Sequence, residues 1–269
     1  MTDDTRRVAL VTGGGTGIGA ATTTVLREQS WEVAICGRRR SVLDAVAERT
    51  GAVAFEADMT SAADVSKLVA DTVDRFGQLD GVVLNAGIVR PGTVGELSDD
   101  DWEAMIATNL TGPFQVARAA LPHLVETRGS LVGVASAAAL RATAAIPGYN
   151  TTKAGLSMLM QSIAVDYGPS GVRANVVCPG WTRTEMADTE MTELGSTIGV
   201  SQARAYALAT AFAPSRRPAD AAEIGRVIGW LLSSSASYIN GAVIPVDGGL
   251  IAVEPGQIAF DPRVTVSEQ

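Results

Sequence analysis

The chain has 269 residues, 46% of them hydrophobic, so it can bury a full core and suits one large α/β domain better than two small ones. A formal net charge of −8, with no Lys/Arg block longer than Arg38-Arg39-Arg40, excludes the basic face that nucleic-acid binding needs. A single histidine, His123, and two cysteines set in apolar runs, Cys36 and Cys178, leave almost nothing from which to build a metal site or a disulfide framework.

The polar start Met1-Thr2-Asp3-Asp4-Thr5-Arg6-Arg7 lacks a leader pattern, and no apolar run approaches the length of a membrane span, so a cytoplasmic protein is expected. Beyond it, short β-branched apolar runs at 7–11, 31–36, 52–56, 81–84, 130–135, 173–178 and 242–246 read as buried strands of a parallel sheet. Amphipathic stretches at 18–29, 40–49, 62–76, 99–126, 149–167 and 219–233 read as the helices between them. Ser61 and Ser98 stand where N-caps belong, each followed by an acidic first turn. This alternation predicts a doubly wound seven-stranded parallel sheet in a single domain spanning 1–269. Segment 185–218 breaks the rhythm with helical pieces and no strand, and is expected to overhang the ligand crevice as a substrate lid. Residues 250–269 form a C-terminal extension that either reaches a neighbouring subunit or frays.

Between the first strand and the first helix lies Thr12-Gly13-Gly14-Gly15-Thr16-Gly17-Ile18-Gly19. Glycines there let backbone approach a phosphate closely, and the helix start offers unpaired N–H groups and a positive dipole. Tyr149 and Lys153, four apart on a predicted helix, share one face about 5–6 Å apart at Cβ. The lysine charge then favours phenolate and lowers the tyrosine pKa, making Tyr149 a candidate general acid/base. A serine hydrolase is excluded by the missing Gly-x-Ser-x-Gly elbow and the lack of a usable histidine.

In order, Thr12 to Gly19, Asn85-Ala86-Gly87, Asn109, Ser136, Tyr149-x-x-x-Lys153 and Pro179-Gly180-x-x-x-Thr184 resemble the classical short-chain dehydrogenase/reductase family, with Asp247-Gly248-Gly249 similar to its closing motif. The resemblance implies a Rossmann-type, three-layer α/β/α fold and an NAD(P)-dependent oxidoreductase acting on a carbonyl or secondary alcohol. By the same resemblance Tyr149 is the proton donor, Ser136 bonds the reacting oxygen, Lys153 tunes the phenol and holds the nicotinamide ribose, and Asn109 holds a water in a proton relay. Cofactor contacts fall on Gly13, Gly15, Thr16, Gly17, Ile18 and Gly19 at the pyrophosphate, on Asp58 with Met59 at the adenine, and on Asn85, Ala86 and Gly87 at the adenosine ribose. Pro179, Gly180, Thr182 and Thr184 lie toward the nicotinamide carboxamide. Relatives of this kind assemble as dimers or tetramers, and the apolar and small residues of 99–126 and 149–167 fit either such an interface or burial against the sheet.

A carboxylate at the end of the second strand would mark NAD; the chain has Arg38 and Arg39 there, which suits the 2′-phosphate of NADP. NADP(H) is therefore the expected cofactor and NAD(H) the alternative, since Thr16 occupies a position where a second basic residue would reinforce the choice. Arg38 as a surface-turn residue and Asp58 as an ordinary helix-start aspartate remain alternative readings. Met186, Met191, Leu194, Ile198, Tyr206, Ala207, Leu208 and Phe212, with Trp181 before them, make either an apolar substrate pocket or the lid's own core. Arg141 is the only basic residue expected near the substrate. A small or medium neutral carbonyl or alcohol is the expected substrate, ahead of a 3-oxoacyl thioester and of a non-catalytic NADP-binding relative.

Overall fold

The computed structural model describes residues 6–261. In chain order the strands are β1 (Val8–Thr12), β2 (Glu32–Gly37), β3 (Val53–Glu56), β4 (Gly81–Leu84), β5 (Ser130–Val134), β6 (Arg173–Pro179), β7 (Thr182–Arg183), β8 (Ala219–Asp220) and β9 (Val243–Val246). The helices are α1 (Gly17–Glu28), α2 (Arg40–Thr50), α3 (Ala62–Phe76), α4 (Asp99–Ile106), α5 (Gly112–Thr127), α6 (Pro147–Tyr167), α7 (Glu185–Ile198), α8 (Gln202–Ala209) and α9 (Ala221–Leu232). Seven strands form one sheet in the order β3-β2-β1-β4-β5-β6-β9, every neighbouring pair parallel.

Strand alternation divides the core in two. Leu10, Val82, Leu84 and Leu131 point to the face covered by α3, α5 and α6, where Leu68, Leu124, Leu156 and Met160 meet them. Val11, Val83 and Val132 point to the opposite face, against Leu26 of α1, Leu43 of α2 and Ile224 and Ile228 of α9. Because both faces are covered, the strands are continuously apolar, which is why they stand out in the sequence. Asp80 ties the N-terminal edges of three strands together: its carboxylate accepts from Val8 N–H at 2.7 Å, its N–H donates to Val8 O at 2.9 Å and its carbonyl accepts from Ser130 N–H at 2.9 Å.

Ser61 and Ser98 cap their helices through Asp64 N–H and Asp101 N–H, as expected. Two helices depart from expectation. The stretch 99–126 is not one α-helix: a π-helical turn, Ala107–Thr111, separates α4 from α5. The stretch 219–233 begins instead with β8, which pairs in parallel with β7, and α9 starts after Asp220 with a reciprocal capping box to Glu223. Thus β7 and β8 clamp the two ends of the α7–α8 excursion. No helix among the described residues is long and apolar enough to cross a membrane. Residues 1–5, and the 262–269 part of the expected extension, lie outside the described residues.

Leu131 is fully buried in the middle of the central sheet. Leu131→Ala is expected to lower unfolding stability by about 2–5 kcal/mol in denaturant titration, and a loss below about 1 kcal/mol would contradict tight packing there.

Candidate active site

Chain order reverses between β1 and β4, and the loops leaving the C-terminal ends of the strands open there on a cleft of about 750 Å³. The glycine turn after β1 forms one wall. Gly13 and Gly17 have φ of +64° and +50°, backbone that favours glycine. A Cβ on Gly13 would lie 2.9 Å from Asn85 Nδ2 and 3.0 Å from Ala86 Cα, and one on Gly19 would collide with the Gly13 carbonyl oxygen. The turn is braced from β4. The Asn85 carboxamide donates to Thr12 O at 2.9 Å and Gly13 O at 3.2 Å, while Thr12 Oγ1 accepts from the N–H groups of Asn85 and Ala86 at 2.9 and 3.1 Å. Thr16 precedes α1 without a side-chain cap, and the first turn of α1 has no acidic residue. The positive end of the helix is therefore left for an anion.

All the site residues expected from the sequence line this cleft except Gly19, which packs behind the turn, and Asn109, which lies beneath it. Asn109 is fully buried in the π turn. Its Oδ1 accepts from Ile88 N–H at 2.8 Å, and its Nδ2 donates to Ile88 O at 2.8 Å and Thr152 Oγ1 at 3.2 Å. Thr152 in turn donates to the Tyr149 carbonyl at 3.0 Å, so Asn109 holds the loop after β4 against the first turns of α6. Gly87 leaves room between them: a Cβ there would stand 3.2 Å from Lys153 Nζ and 3.3 Å from Asn109 Oδ1.

Helix α6 starts at Pro147, two residues earlier than the sequence indicates, which puts Tyr149 in its first turn. Lys153 is 4% exposed; its ammonium donates to Val134 O at 2.9 Å and sits 5.5 Å from the Tyr149 ring centre. Burial pushes Lys153 down to about 8. The expectation that this cation lowers the Tyr149 pKa is not met in the chain alone. Burial pushes the phenol up to about 12, the Ser136 hydroxyl pulls against that, and the charge of Glu190 adds to the rise. Desolvation of the phenol outweighs a cation that burial itself disfavours. Ser136 ends the β5 loop and also accepts from Ala138 N–H at 3.1 Å.

At the other end of the cleft Arg39 forms a two-pronged contact with Glu185, the first residue of α7, at 3.4 and 3.2 Å. Arg38 makes no hydrogen bond or ion pair among the described residues. Asp58 is held below the usual carboxylate range, chiefly by the N–H of Thr60, with its hydroxyl and Arg38 contributing. The apolar residues of the excursion separate clearly. Met186 and Trp181 line the cleft, whereas Met191 and Tyr206 are buried against Ala187 and Ala205 in the excursion's own core, and Leu194, Ile198 and Leu208 are exposed. Arg141 points away, its guanidinium on Leu140 O, and does not line the cleft.

Three residues of the site carried no clear signal in the sequence. Thr12 was visible only as the residue before the glycine turn, and Thr152 only by its place between Tyr149 and Lys153. Glu190 of α7, which faces the cleft, reads in sequence as ordinary helix surface.

The profile of a family described as enoyl-(acyl carrier protein) reductase, of the short-chain alcohol dehydrogenase type, matches residues 13–251. Protein MoaE of Klebsiella aerogenes is 41% identical, over 90% of this chain and 94% of that protein. Among solved structures, levodione reductase superposes with a TM-score of 0.87 at 32% identity, over 92% of this chain and 98% of that one. A variant of actinorhodin polyketide ketoreductase, crystallised with NADPH, superposes with a TM-score of 0.87 at 29% identity, over 91% of this chain and 97% of that one. A matching profile over nearly the whole chain, similar relatives of full length and a shared parallel sheet agree: the chain belongs to the short-chain dehydrogenase/reductase family of NAD(P)-dependent oxidoreductases.

Proposed function

We propose that the protein interconverts a small or medium carbonyl compound and its secondary alcohol, with NADP(H) preferred over NAD(H), in the cytoplasm and as a homo-oligomer. The observation that carries this reading is that Ser136, Tyr149 and Lys153 line the same cleft as the glycine turn, with Lys153 Nζ 5.5 Å from the phenol ring. The cleft suits a dinucleotide: the turn has no room for a Cβ at Gly13 or Gly19, and α1 presents an uncapped, acid-free N-terminus. When bound, the nicotinamide ring supplies the hydride for reduction or takes it up in oxidation.

The chain's own groups do the rest. As the carbonyl carbon gains its hydride, the oxygen takes the Tyr149 proton, and the Ser136 hydroxyl hydrogen-bonds the same oxygen as its charge develops. The net change is carbonyl plus reduced nicotinamide plus one proton giving alcohol plus oxidised nicotinamide. Lys153 spends one donor on Val134 O, which aims the remaining ones into the cleft, where they hold ribose hydroxyls and stabilise the phenolate left by proton transfer. Asn109 fixes the loop after β4 against α6 and so positions the proton donor. Helices α7 and α8 form the lid, with Met186 and Trp181 giving the substrate an apolar surface.

For the cofactor, support comes from the charges at the end of β2. Arg39 is already paired with Glu185, so Arg38 is the free guanidinium for a 2′-phosphate. The NADPH found with the polyketide ketoreductase agrees with that choice. Self-association is supported by exposed Phe114 on α5 and Met158 and Val165 on α6. The cytoplasmic setting is supported by two buried, unpaired thiols, Cys36 and Cys178.

Tyr149→Phe is expected to lower kcat by about 10²–10⁴-fold while NADPH binding, followed by its fluorescence, survives; full activity of the variant would remove the phenol from the reaction. Arg38→Ala is expected to raise KM for NADPH about tenfold or more with little change for NADH, the worth of one charge-assisted hydrogen bond. Equal use of both cofactors by the unmodified protein would overturn the preference. Below about 8 Lys153 is an ammonium and above it neutral, so carbonyl reduction should fall as pH rises through that value. A rate that stays level up to about pH 10 at saturating NADPH would take the lysine charge out of the mechanism.

A further inference from the structure

We infer that Glu190 anchors a cationic group of the substrate, so that the favoured carbonyl compounds carry a protonated amine a short spacer away from the reacting carbonyl. This rests on the reaction proposed above and names its substrate class.

The charged residues lining the cleft fall into two groups. Arg38, Arg39, Asp58, Lys153 and Glu185 lie along the stretch assigned to the dinucleotide, and each except Arg38 already has a protein partner: Arg39 with Glu185, Asp58 with Thr60, Lys153 with Val134 O. Glu190 stands apart on α7, a lining residue of the same cleft as Ala137, Ala138, Ile146, Trp181 and Met186, the residues of the end assigned to the substrate. It makes no hydrogen bond or ion pair among the described residues.

No cation among the described residues pairs with it. Arg183, the basic residue beside α7, is held by Asp188 at 3.2 Å and stacks 4.5 Å from the Tyr206 ring centre. Glu193 of its own helix, of like sign, acts on Glu190, and the charge of Glu190 is felt by the phenols of Tyr149 on α6 and Tyr206 on α8. Burial and then Glu193 raise its carboxyl above the ordinary range, while its charge reaches Tyr149 strongly enough to oppose ionisation of that phenol.

A half-buried carboxylate with no partner is costly, and an ammonium held against it removes the cost. The same contact cancels the charge that opposes the Tyr149 phenolate, so a bound cation would assist the proton donor as well as orient the carbonyl. An anionic substrate meets the opposite: Glu190 repels it at the site, and the net charge of −8 repels it at a distance. Arg141, the residue that could have drawn an anionic tail, does not line the cleft. The apolar side chains of the cleft, Ile146, Trp181 and Met186, hold the spacer.

The test uses the NADPH-loaded protein and two ketones of one shape, 4-(dimethylamino)butan-2-one, protonated at neutral pH, and 5-methylhexan-2-one, its neutral counterpart. The ratio of kcat/KM, amine over neutral, should exceed unity by about tenfold or more and fall by about tenfold in Glu190→Gln. Because both ketones share the proton donor, a general effect of the substitution on Tyr149 cancels in the ratio. Glu190→Lys should reverse the preference toward levulinate, a keto acid. A ratio that is the same in Glu190→Gln, or a larger loss for 4-hydroxybutan-2-one than for the amine, overturns the anchor while turnover of the neutral ketone upholds the reaction. Calorimetry separates the two claims: amine binding to the NADP-loaded protein that disappears in Glu190→Gln, with no ketone reduced by any variant, sustains the anchor and ends the proposed reaction.

Discussion

The site depends on a backbone-to-backbone fit at the centre of the sheet. Where β1 and β4 end side by side, the Thr12 hydroxyl and the Asn85 carboxamide bind each other's main chain, pulling the glycine turn against the next strand so closely that no Cβ fits at Gly13 or Gly19. The parallel order of the seven strands brings the loops after β2, β4, β5 and β6 to the same edge. The fit therefore does more than brace one turn. It sets the height at which everything else in the cleft must meet.

The catalytic end works against its own desolvation. Burial moves the Tyr149 phenol and the Lys153 ammonium toward their neutral forms, up to about 12 and down to about 8, although the proposed reaction asks the first to give up a proton and the second to remain charged. A dry cleft strengthens every hydrogen bond to the reacting oxygen and weakens every unpaired charge. The structure reconciles these demands with polar partners at short range: Ser136 at the phenol, Val134 O at the ammonium, and the Asn109 clamp that holds α6 to the loop after β4.

The sheet was legible in the sequence because strands buried on both faces read as unbroken apolar runs, and the motif residues fall on their C-terminal ends. What escaped were properties that depend on tertiary placement. Apolar spacing along 99–126 tolerates one widened turn, so the π segment at Asn109 leaves no trace in the pattern. The four-residue spacing of Tyr149 and Lys153 shows that they share a face, but not that both lie in a desolvated cleft. Met186 and Met191 look alike in the sequence; only packing against α8 decides that one lines the cleft and the other fills the core between α7 and α8. Glu190 is the sharpest instance, since a carboxylate on an amphipathic helix reads as solvated surface until the opposite wall is in place.

The contact between Arg39 and Glu185 joins the rim of the sheet to the first turn of α7, and both side chains are largely exposed, at 59% and 62%. An ion pair so open to water is weak and weakens further as salt rises. It is a fastening that thermal motion can lift, joining the start of α7 to the end of β2 without fixing it there. Ionic strength then becomes a dial on how firmly that helix start is fastened to the rim of the sheet.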